Sequence, residues 1–193
     1  MFKKIQLLLA SLVCVFTGCT GQRNIMLRPA DTKEGTVSVY DFKLTALDGS
    51  PIDFAKYKGK KVVLMNVASK CGYTPQYAEW EAFYAAKKDK VEVLGFPAND
   101  FLMQEPGSNK AIEEFCQKNY GVTFQMFEKV QVKGSEKTPI YEWLTSVDKN
   151  GWNDQAPTWN FCKYLIDENG QLQGFFSSTV KPNDPEFVKA LGL

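Results

Sequence analysis

Apolar residues occur along the chain in short continuous runs and in longer stretches with helical spacing. The continuous runs over 62–67 and 91–96 predict two strands buried on both faces, since a strand with one solvated face alternates apolar and polar residues. Shorter apolar runs bounded by turn residues predict further strands. These are the segments 37–44, 52–54, 126–132, 161–166 and 171–176.

Helices are predicted where apolar residues recur every three or four positions behind a helix-opening residue. Thr74 and Pro75 open one such segment, with Thr as the cap and Pro at the first helical position, and the spacing continues to residue 88. Ser108 caps a second helix. Prolines open two others, over 139–147 and 185–191.

The order of these elements predicts the fold class. Turn residues over 47–50 join the first two strands into an N-terminal β-hairpin, and those over 167–170 join the last two strands. Between the hairpins, strands alternate with helices. We therefore predict an α/β protein with a thioredoxin-like fold, in which helices flank a mixed central sheet.

Composition narrows the classes of function. The 193 residues are 44% hydrophobic and 23% charged with a net charge of +1, which is typical of one globular domain. Lysine and arginine are spread along the chain without forming a basic stripe, so nucleic acid is not an expected partner. The chain has no histidine, which excludes Ser-His-Asp and Cys-His catalysis, His-containing zinc sites and a His pH switch. None of its five cysteines forms a C-x-x-C pair, so neither a zinc ribbon nor a thioredoxin-type dithiol is predicted.

The N-terminus has the pattern of an export signal. Lys3 and Lys4 precede an apolar run over 5–16, and small residues then lead to Cys19. This pattern resembles a bacterial lipoprotein cleavage site, with Cys19 as the lipidated first residue of the mature protein. Cys14 is a poorer candidate, and a plain secretory signal that releases the protein is the alternative.

Domain organisation follows from that signal. We predict a lipoprotein-type signal peptide over 1–18, a tether over 19–36 and the thioredoxin-like domain over 37–193. Acyl chains on Cys19 would hold the exported protein on a membrane, facing the periplasm or the cell exterior.

Cys71 lies where the predicted strand over 62–67 gives way to a turn and then to the helix opened by Thr74. Unpaired backbone N–H groups and the positive end of a helix dipole favour a thiolate at such a junction, and Lys70 adds positive charge. The alternative is a structural cysteine in the core, which is the commoner role of a lone cysteine.

Three separated segments resemble the glutathione peroxidase family in its cysteine form, and the resemblance extends from about residue 39 to residue 191. The segments are 66–74, 94–101 with 104–107, and Trp159-Asn160-Phe161. The resemblance implies that Cys71 is the peroxidatic cysteine and that Gln104, Trp159 and Asn160 complete a catalytic tetrad. Amide and indole N–H groups suit this role, because a thiolate needs hydrogen-bond donors. Taken singly, each of these side chains also has an ordinary structural interpretation.

The segment 115–123 is similar to the family segment that carries the resolving cysteine in members recycled by thioredoxin. Cys116 is therefore the predicted resolving cysteine, with a small apolar residue on a helix face as the alternative. A disulfide requires a Cα separation below about 7 Å, so we expect the Cys116 helix to unfold in part during turnover. Cys162 occupies a strand position and is predicted to belong to the core.

The resemblance implies a thiol-dependent peroxidase that reduces hydrogen peroxide and organic or lipid hydroperoxides. The expected reductant is a thioredoxin-like protein or glutathione, and no cofactor or metal is implied. A monomer is expected, because the stretch 147–159 lacks the long insertion of tetrameric animal enzymes. Ala98, Asp100 and Gln125 depart from residues common in the family.

Three other interpretations of function stay open at this point. A membrane-anchored thiol-disulfide oxidoreductase would need a second cysteine where Thr74 stands. A non-catalytic binding module would not need the tetrad. A peroxide-sensing redox relay would use the same residues as a peroxidase.

Overall fold

The structure of the protein, a computed structural model, describes residues 23–193, so the predicted signal peptide, Cys14 and Cys19 lie outside it. Eight strands and five α-helices make up the described part. The strands are β1 (Ile25–Leu27), β2 (Lys43–Thr45), β3 (Pro51–Asp53), β4 (Lys61–Val67), β5 (Val91–Pro97), β6 (Gln125–Met126), β7 (Lys163–Ile166) and β8 (Leu172–Phe176). The helices are α1 (Gln76–Lys87), α2 (Asn109–Tyr120), α3 (Pro139–Leu144), α4 (Val147–Asn150) and α5 (Pro185–Leu191).

Six strands form a mixed sheet in the order β1-β8-β7-β4-β5-β6. The neighbours β4, β5 and β6 run parallel, whereas β7 runs antiparallel to β4, and β8 is antiparallel to both β7 and β1. The remaining strands, β2 and β3, pair as a separate antiparallel hairpin. The predicted thioredoxin-like fold with an N-terminal hairpin is confirmed.

Helices and loops cover both faces of the central strands, as the continuous apolar runs predict. Alternate residues of β4 enter two apolar clusters, with Val63 and Met65 in one and Val62 and Leu64 in the other. The first cluster packs α1, α2 and α5 against the sheet, and the second contains α3. The C-terminal ends of β4 and β5 therefore lie side by side at one edge of a rigid layer.

Several boundaries differ from the sequence prediction for local reasons. The strand expected over 37–44 contains a 3₁₀ helix at Val39–Asp41, because Ser38 and Asp41 form a reciprocal capping box there. The strand expected over 126–132 is reduced to β6 and two isolated bridges, one between Ala46 and Phe127 and one between Ala98 and Val130. The helix expected over 139–147 ends at Leu144, and α4 follows as a separate turn.

The described part of the predicted tether lies against the domain, which differs from the expectation for 19–36. Strand β1 pairs with β8 and forms the edge of the sheet, and the backbone N–H of Gly35 donates to the side chain of Gln171 at 3.0 Å. Arg23 forms ion pairs with Asp184 and Glu186 next to α5. Three apolar residues are too short a run to be recognised as a strand without the edge that they complete. Within residues 23–193, no helix combines the length and the apolar content that crossing a bilayer requires.

Candidate active site

Cys71 lies in the turn that joins β4 to α1, and its side chain is 7% exposed. The Thr74 hydroxyl accepts the backbone N–H of Cys71 at 3.0 Å and donates to the carbonyl of Ala68 at 2.8 Å. Thr74 thus stabilises the turn instead of capping α1, which begins at Gln76, one residue later than the sequence predicts. The backbone N–H of Tyr73 points at the thiol, with 3.4 Å between its nitrogen and Cys71 Sγ. The turn therefore supplies one donor to the sulfur.

Gln104 belongs to the loop that follows β5, and two hydrogen bonds fix this loop beside Cys71. The backbone N–H of Lys70 donates to the Gln104 carbonyl at 3.0 Å. The Ser69 hydroxyl donates to Oε1 of Glu105 at 2.6 Å. The loop is thereby held against the two residues that precede the cysteine.

Trp159 and Asn160 are positioned by Asn66, a buried polar residue near the end of β4. Its side-chain nitrogen donates to the carbonyl of Trp159 at 2.9 Å, and its side-chain oxygen accepts the backbone N–H of Cys162 at 3.1 Å. The Trp159 ring packs against Phe101, with 5.6 Å between the ring centroids. Because β7 is antiparallel to β4, the residues preceding β7 reach the same edge as the end of β4.

A side-chain hydrogen bond links two of the predicted site residues directly. Nδ2 of Asn160 donates to Oε1 of Gln104 at 2.8 Å, across 56 positions of sequence. This orientation leaves the amide nitrogen of Gln104 available as a donor. Oδ1 of Asn160 is buried without a hydrogen-bond partner among the described residues. The structure thus brings Cys71, Gln104, Trp159 and Asn160 to one edge of the sheet.

The backbone is strained on both sides of this bond. Leu102, Met103 and Phe161 have φ angles of 51°, 52° and 63°, in the left-handed region that favours glycine. Each such residue costs on the order of 1 kcal/mol. Gln104 and Asn160, which directly follow or precede these residues, are therefore held where the unconstrained chain would not place them.

Cys116 lies in the third turn of α2, 2% exposed, in the same apolar cluster as Cys71. Burial raises the pKa of its thiol to about 11. The Tyr77 hydroxyl neighbours this thiol, and the Tyr77 ring contacts Tyr120 at 5.4 Å between centroids. A cavity of about 160 Å³ adjoins Cys116 and is lined in part by Gln125. The thiol is thus protonated, enclosed and close to a void.

All three cysteines of the described residues are free thiols. Cys162 is fully buried, and its sulfur lies 3.7 Å from the Thr158 hydroxyl and 3.6 Å from the Ser178 hydroxyl. The predicted core location of Cys162 is confirmed. In the described part of the chain, no group of three or more Cys, Asp or Glu side chains could hold a metal ion.

Two buried charged residues near the site were missed by sequence reasoning. Glu105 is fully buried, and burial raises the pKa of its carboxyl. Lys163 is also fully buried and donates from Nζ to Oε1 of Gln76 at 2.8 Å and to the carbonyls of Ser178 and Val180 at 3.2 and 2.6 Å. For Lys163, the available signal was its position as a lone lysine inside the apolar run 161–166. For Glu105, no pattern indicated burial.

The buried amine of Lys163 should make stability depend on pH. Burial lowers its pKa to about 7; Cys162 and Glu79 favour the charged form and Lys181 opposes it. In the unfolded chain the pKa of lysine is about 10.4, so between these values the unfolded state binds more protons and stability rises with pH. We expect the free energy of unfolding to increase by about 1 kcal/mol from pH 7 to pH 8 through this group. Urea unfolding at pH 6, 7 and 8 measures it.

The matched comparison is Lys163→Met against Lys110→Met, since Lys110 is exposed. The rise between pH 7 and pH 8 should be smaller by that amount in the first variant and unchanged in the second. An equal rise in the wild type and in Lys163→Met would contradict the assignment.

Removing the Asn160 side chain should slow the reaction of Cys71 with peroxide. Asn160→Ala deletes the group that orients Gln104, and loss of a preorganised donor typically costs about 10²-fold in rate. Stopped-flow measurement of the second-order rate constant with hydrogen peroxide tests this. Asn153→Ala is the control, because Asn153 is equally buried but its side-chain nitrogen donates to the backbone carbonyls of Leu144 and Gln155 and not to Gln104. Equal rate losses in both variants would assign the effect to general destabilisation.

Comparison with known proteins gives a consistent result. Residues 39–145 match the family model described as glutathione peroxidase. A glutathione peroxidase-like peroxiredoxin 2 of Saccharomyces cerevisiae is 46% identical over 149 residues, which cover 77% of this chain and 92% of the yeast protein. A hydroperoxy fatty acid reductase of Synechocystis sp. is 39% identical over 161 residues, covering 79% and 94%. The crystal structure of T. cruzi GPX1 is similar with a TM-score of 0.61 and 31% identity, covering 81% of this chain and 97% of that one.

Proposed function

Since the chain belongs to the glutathione peroxidase family and is a thiol peroxidase by that membership, we propose that it reduces hydrogen peroxide and organic or lipid hydroperoxides through Cys71. The observation that carries this proposal is the 2.8 Å hydrogen bond between Asn160 and Gln104, next to the loop contact between Gln104 and Lys70. It supports a cluster of donors beside the thiol. A relative named as a hydroperoxy fatty acid reductase supports the inclusion of lipid hydroperoxides.

In the first step, the Cys71 thiolate attacks the terminal oxygen of the hydroperoxide. An S–O bond forms as the O–O bond breaks, sulfur is oxidised to sulfenic acid, and the departing oxygen takes a proton to leave as alcohol or water. The Tyr73 backbone N–H stabilises the thiolate. The amides of Gln104 and Asn160 and the indole of Trp159 stabilise negative charge on the departing oxygen, which carries the largest charge as the bond breaks.

In the second step, the Cys116 thiol condenses with the sulfenic acid. A disulfide forms, the sulfenic hydroxyl leaves and the thiol proton goes with it as water. We propose that Cys116, which is buried within α2, leaves the helix interior to form this bond, because a disulfide restricts the separation and direction of the two side chains. The cavity beside Cys116 supports such a movement, because helix residues can shift into it without first displacing packed side chains.

In the third step, an external dithiol reduces the disulfide. We propose a thioredoxin-like protein as the preferred donor over glutathione, because an intramolecular disulfide is the natural substrate of a dithiol exchange. A steady-state peroxidase assay of the domain with each donor tests this. We expect turnover with thioredoxin to be at least tenfold faster than with glutathione at matched thiol concentration. No turnover with either donor, while Cys71 stays reduced in peroxide, would contradict the proposed function.

The site of action is proposed from the N-terminal sequence. Export through the signal peptide over 1–18 and lipidation of Cys19 would place the enzyme on a membrane surface outside the cytoplasm. We further propose that it acts as a monomer. Membrane fractionation of cells that express the wild type and Cys19→Ala tests the anchor, and release of both proteins to the soluble fraction would contradict it.

A further inference from the structure

The buried amine of Lys163 joins three separate segments of the chain. Nζ donates to the side chain of Gln76, the first residue of α1, and to two carbonyls of the turn that follows β8. Nε2 of Gln76 donates to one of these carbonyls, that of Ser178, at 2.6 Å. Strand β7, the start of α1 and the turn after β8 are therefore fastened at one point.

Two of the segments that Lys163 joins are connected to the proposed active site. On one side, Gln76 begins the helix that directly follows the Cys71 turn. On the other side, the Ser178 hydroxyl donates to the backbone carbonyl of Asn160 at 2.6 Å. The Asn160 side chain in turn orients Gln104. A continuous set of hydrogen bonds thus runs from Lys163 to the cysteine turn and to the donors.

Filling space alone does not account for a lysine at this position. The acceptors of its ammonium are neutral, and Glu79, the carboxylate that favours its charged form, is itself paired with Lys181 at 2.6 Å. The Trp80 ring lies 5.6 Å from Nζ and adds a cation–π contact. Burying an amine without a carboxylate partner is costly, and an apolar side chain would fill a central strand at lower cost. We therefore relate the role of Lys163 to the groups that its ammonium hydrogen-bonds, which are Gln76 and the carbonyls of Ser178 and Val180.

We propose that Lys163 is a positioning residue for peroxide reduction, which holds the Cys71 turn and Asn160 at the separation that the reaction requires. The inference rests on the proposed function. Lys163 touches neither the peroxide nor the sulfur and acts through Gln76 and Ser178. In its protonated form, which predominates below its pKa of about 7, the amine has three donors for its three acceptors, so its full hydrogen-bonding capacity is used.

The test is the second-order rate constant of Cys71 with hydrogen peroxide in Lys163→Met, measured by stopped flow on folded protein. We expect a decrease of about 10- to 100-fold, because small displacements of reacting groups cost rates of this order. Alkylation of Cys71 by iodoacetamide, followed by peptide mass spectrometry, should stay within twofold of the wild type, because alkylation has no departing oxygen for Asn160 and Gln104 to stabilise. Lys110→Met is the control and should keep the wild-type rate.

Ser178→Ala provides a second, smaller change. It removes the hydroxyl that holds Asn160, and we expect a rate loss that is not additive with that of Lys163→Met in the double variant. If Lys163→Met fails to fold, the same rate constant is measured in Ser178→Ala and Gln76→Leu, because each variant removes one hydrogen bond of the network.

Four outcomes would overturn the inference. The first is a wild-type rate in Lys163→Met, and the second is a fully additive rate loss in the double variant with Ser178→Ala. The third is faster alkylation of all buried cysteines together, which would indicate general loosening of the fold. The fourth is a wild-type rate in both Ser178→Ala and Gln76→Leu. Failure of the wild-type enzyme itself to react with peroxide would overturn the proposed function instead.

Discussion

Cys71→Ser is expected to lose peroxidase activity by on the order of 10³-fold or more, because an alcohol is not ionised at neutral pH and is a far weaker nucleophile than a thiolate. No other described residue can replace it. Cys116 is enclosed in α2 with its pKa raised to about 11, and Cys162 is fully buried. The measurement is hydrogen peroxide consumption under single-turnover conditions, which needs no external reductant.

The control for this variant is Cys162→Ser, which makes the same atomic exchange in the core. A serine at position 162 can hydrogen-bond the neighbouring hydroxyls of Thr158 and Ser178, so the fold should tolerate it. Activity should stay within threefold of the wild type. If Cys71→Ser kept more than a tenth of the wild-type activity, Cys71 would not be the peroxidatic residue.

Cys116→Ser is expected to separate the two halves of the cycle. The first oxidation of Cys71 should proceed at the wild-type rate, because Cys116 contributes no donor to the site. Steady-state turnover with a thioredoxin-like reductant should fall by on the order of 10²-fold or more, because no intramolecular disulfide forms for the reductant to attack. Stopped-flow oxidation and a coupled steady-state assay on the same preparation give both values.

Direct evidence for this step comes from peptide mapping without reductant after one equivalent of peroxide. A bridge between Cys71 and Cys116 is the expected product in the wild type. A dominant bridge between Cys71 and Cys162, or none, would contradict the assignment of Cys116. Unchanged steady-state turnover of the serine variant would contradict it independently.

In the proposed mechanism, resolution by Cys116 requires opening of α2, for two reasons. With a pKa of about 11, the thiolate fraction of Cys116 in the closed helix at pH 7 is on the order of 10⁻⁴. The backbone carbonyl of Cys116 accepts the capping N–H of Gly121, so the thiol cannot leave without breaking the C-terminal cap. Opening exposes the thiol to water, which removes the main cause of its raised pKa. The proposal thus makes deprotonation of Cys116 and its approach to Cys71 consequences of one local unfolding event.

Two departures from common family residues now have a structural role. Asp100 accepts the backbone N–H of Val132 at 3.2 Å and so fixes the loop after β5. Gln125 donates from Nε2 to the carbonyl of Met126 at 2.9 Å and lines the cavity at Cys116. The structure contains no corresponding explanation for Ala98, which is fully buried.

The sequence prediction is wrong mainly where a side chain hydrogen-bonds the backbone and so changes the secondary structure that the local pattern indicates. Threonine is a common helix cap, but the Thr74 hydroxyl accepts the backbone N–H of Cys71 and donates to the carbonyl of Ala68. Helix α1 therefore begins later, at Gln76. The strand expected over 37–44 is interrupted because Ser38 can satisfy a turn as well as a strand. The strand β1 was missed because it depends on pairing with β8, which is more than 140 residues away in the sequence.

The sequence by itself determined the order of the strands and helices after β1, the burial of β4 and β5, and the residue types available for catalysis without histidine. These features depend on local periodicity, on turn composition and on which side chains exist, and all three can be read without a structure. Only the tertiary structure decided which groups meet. The bond from Asn160 to Gln104 spans 56 positions and that from Lys163 to Gln76 spans 87. Such contacts depend on the order and direction of strands in the sheet, which no local pattern encodes.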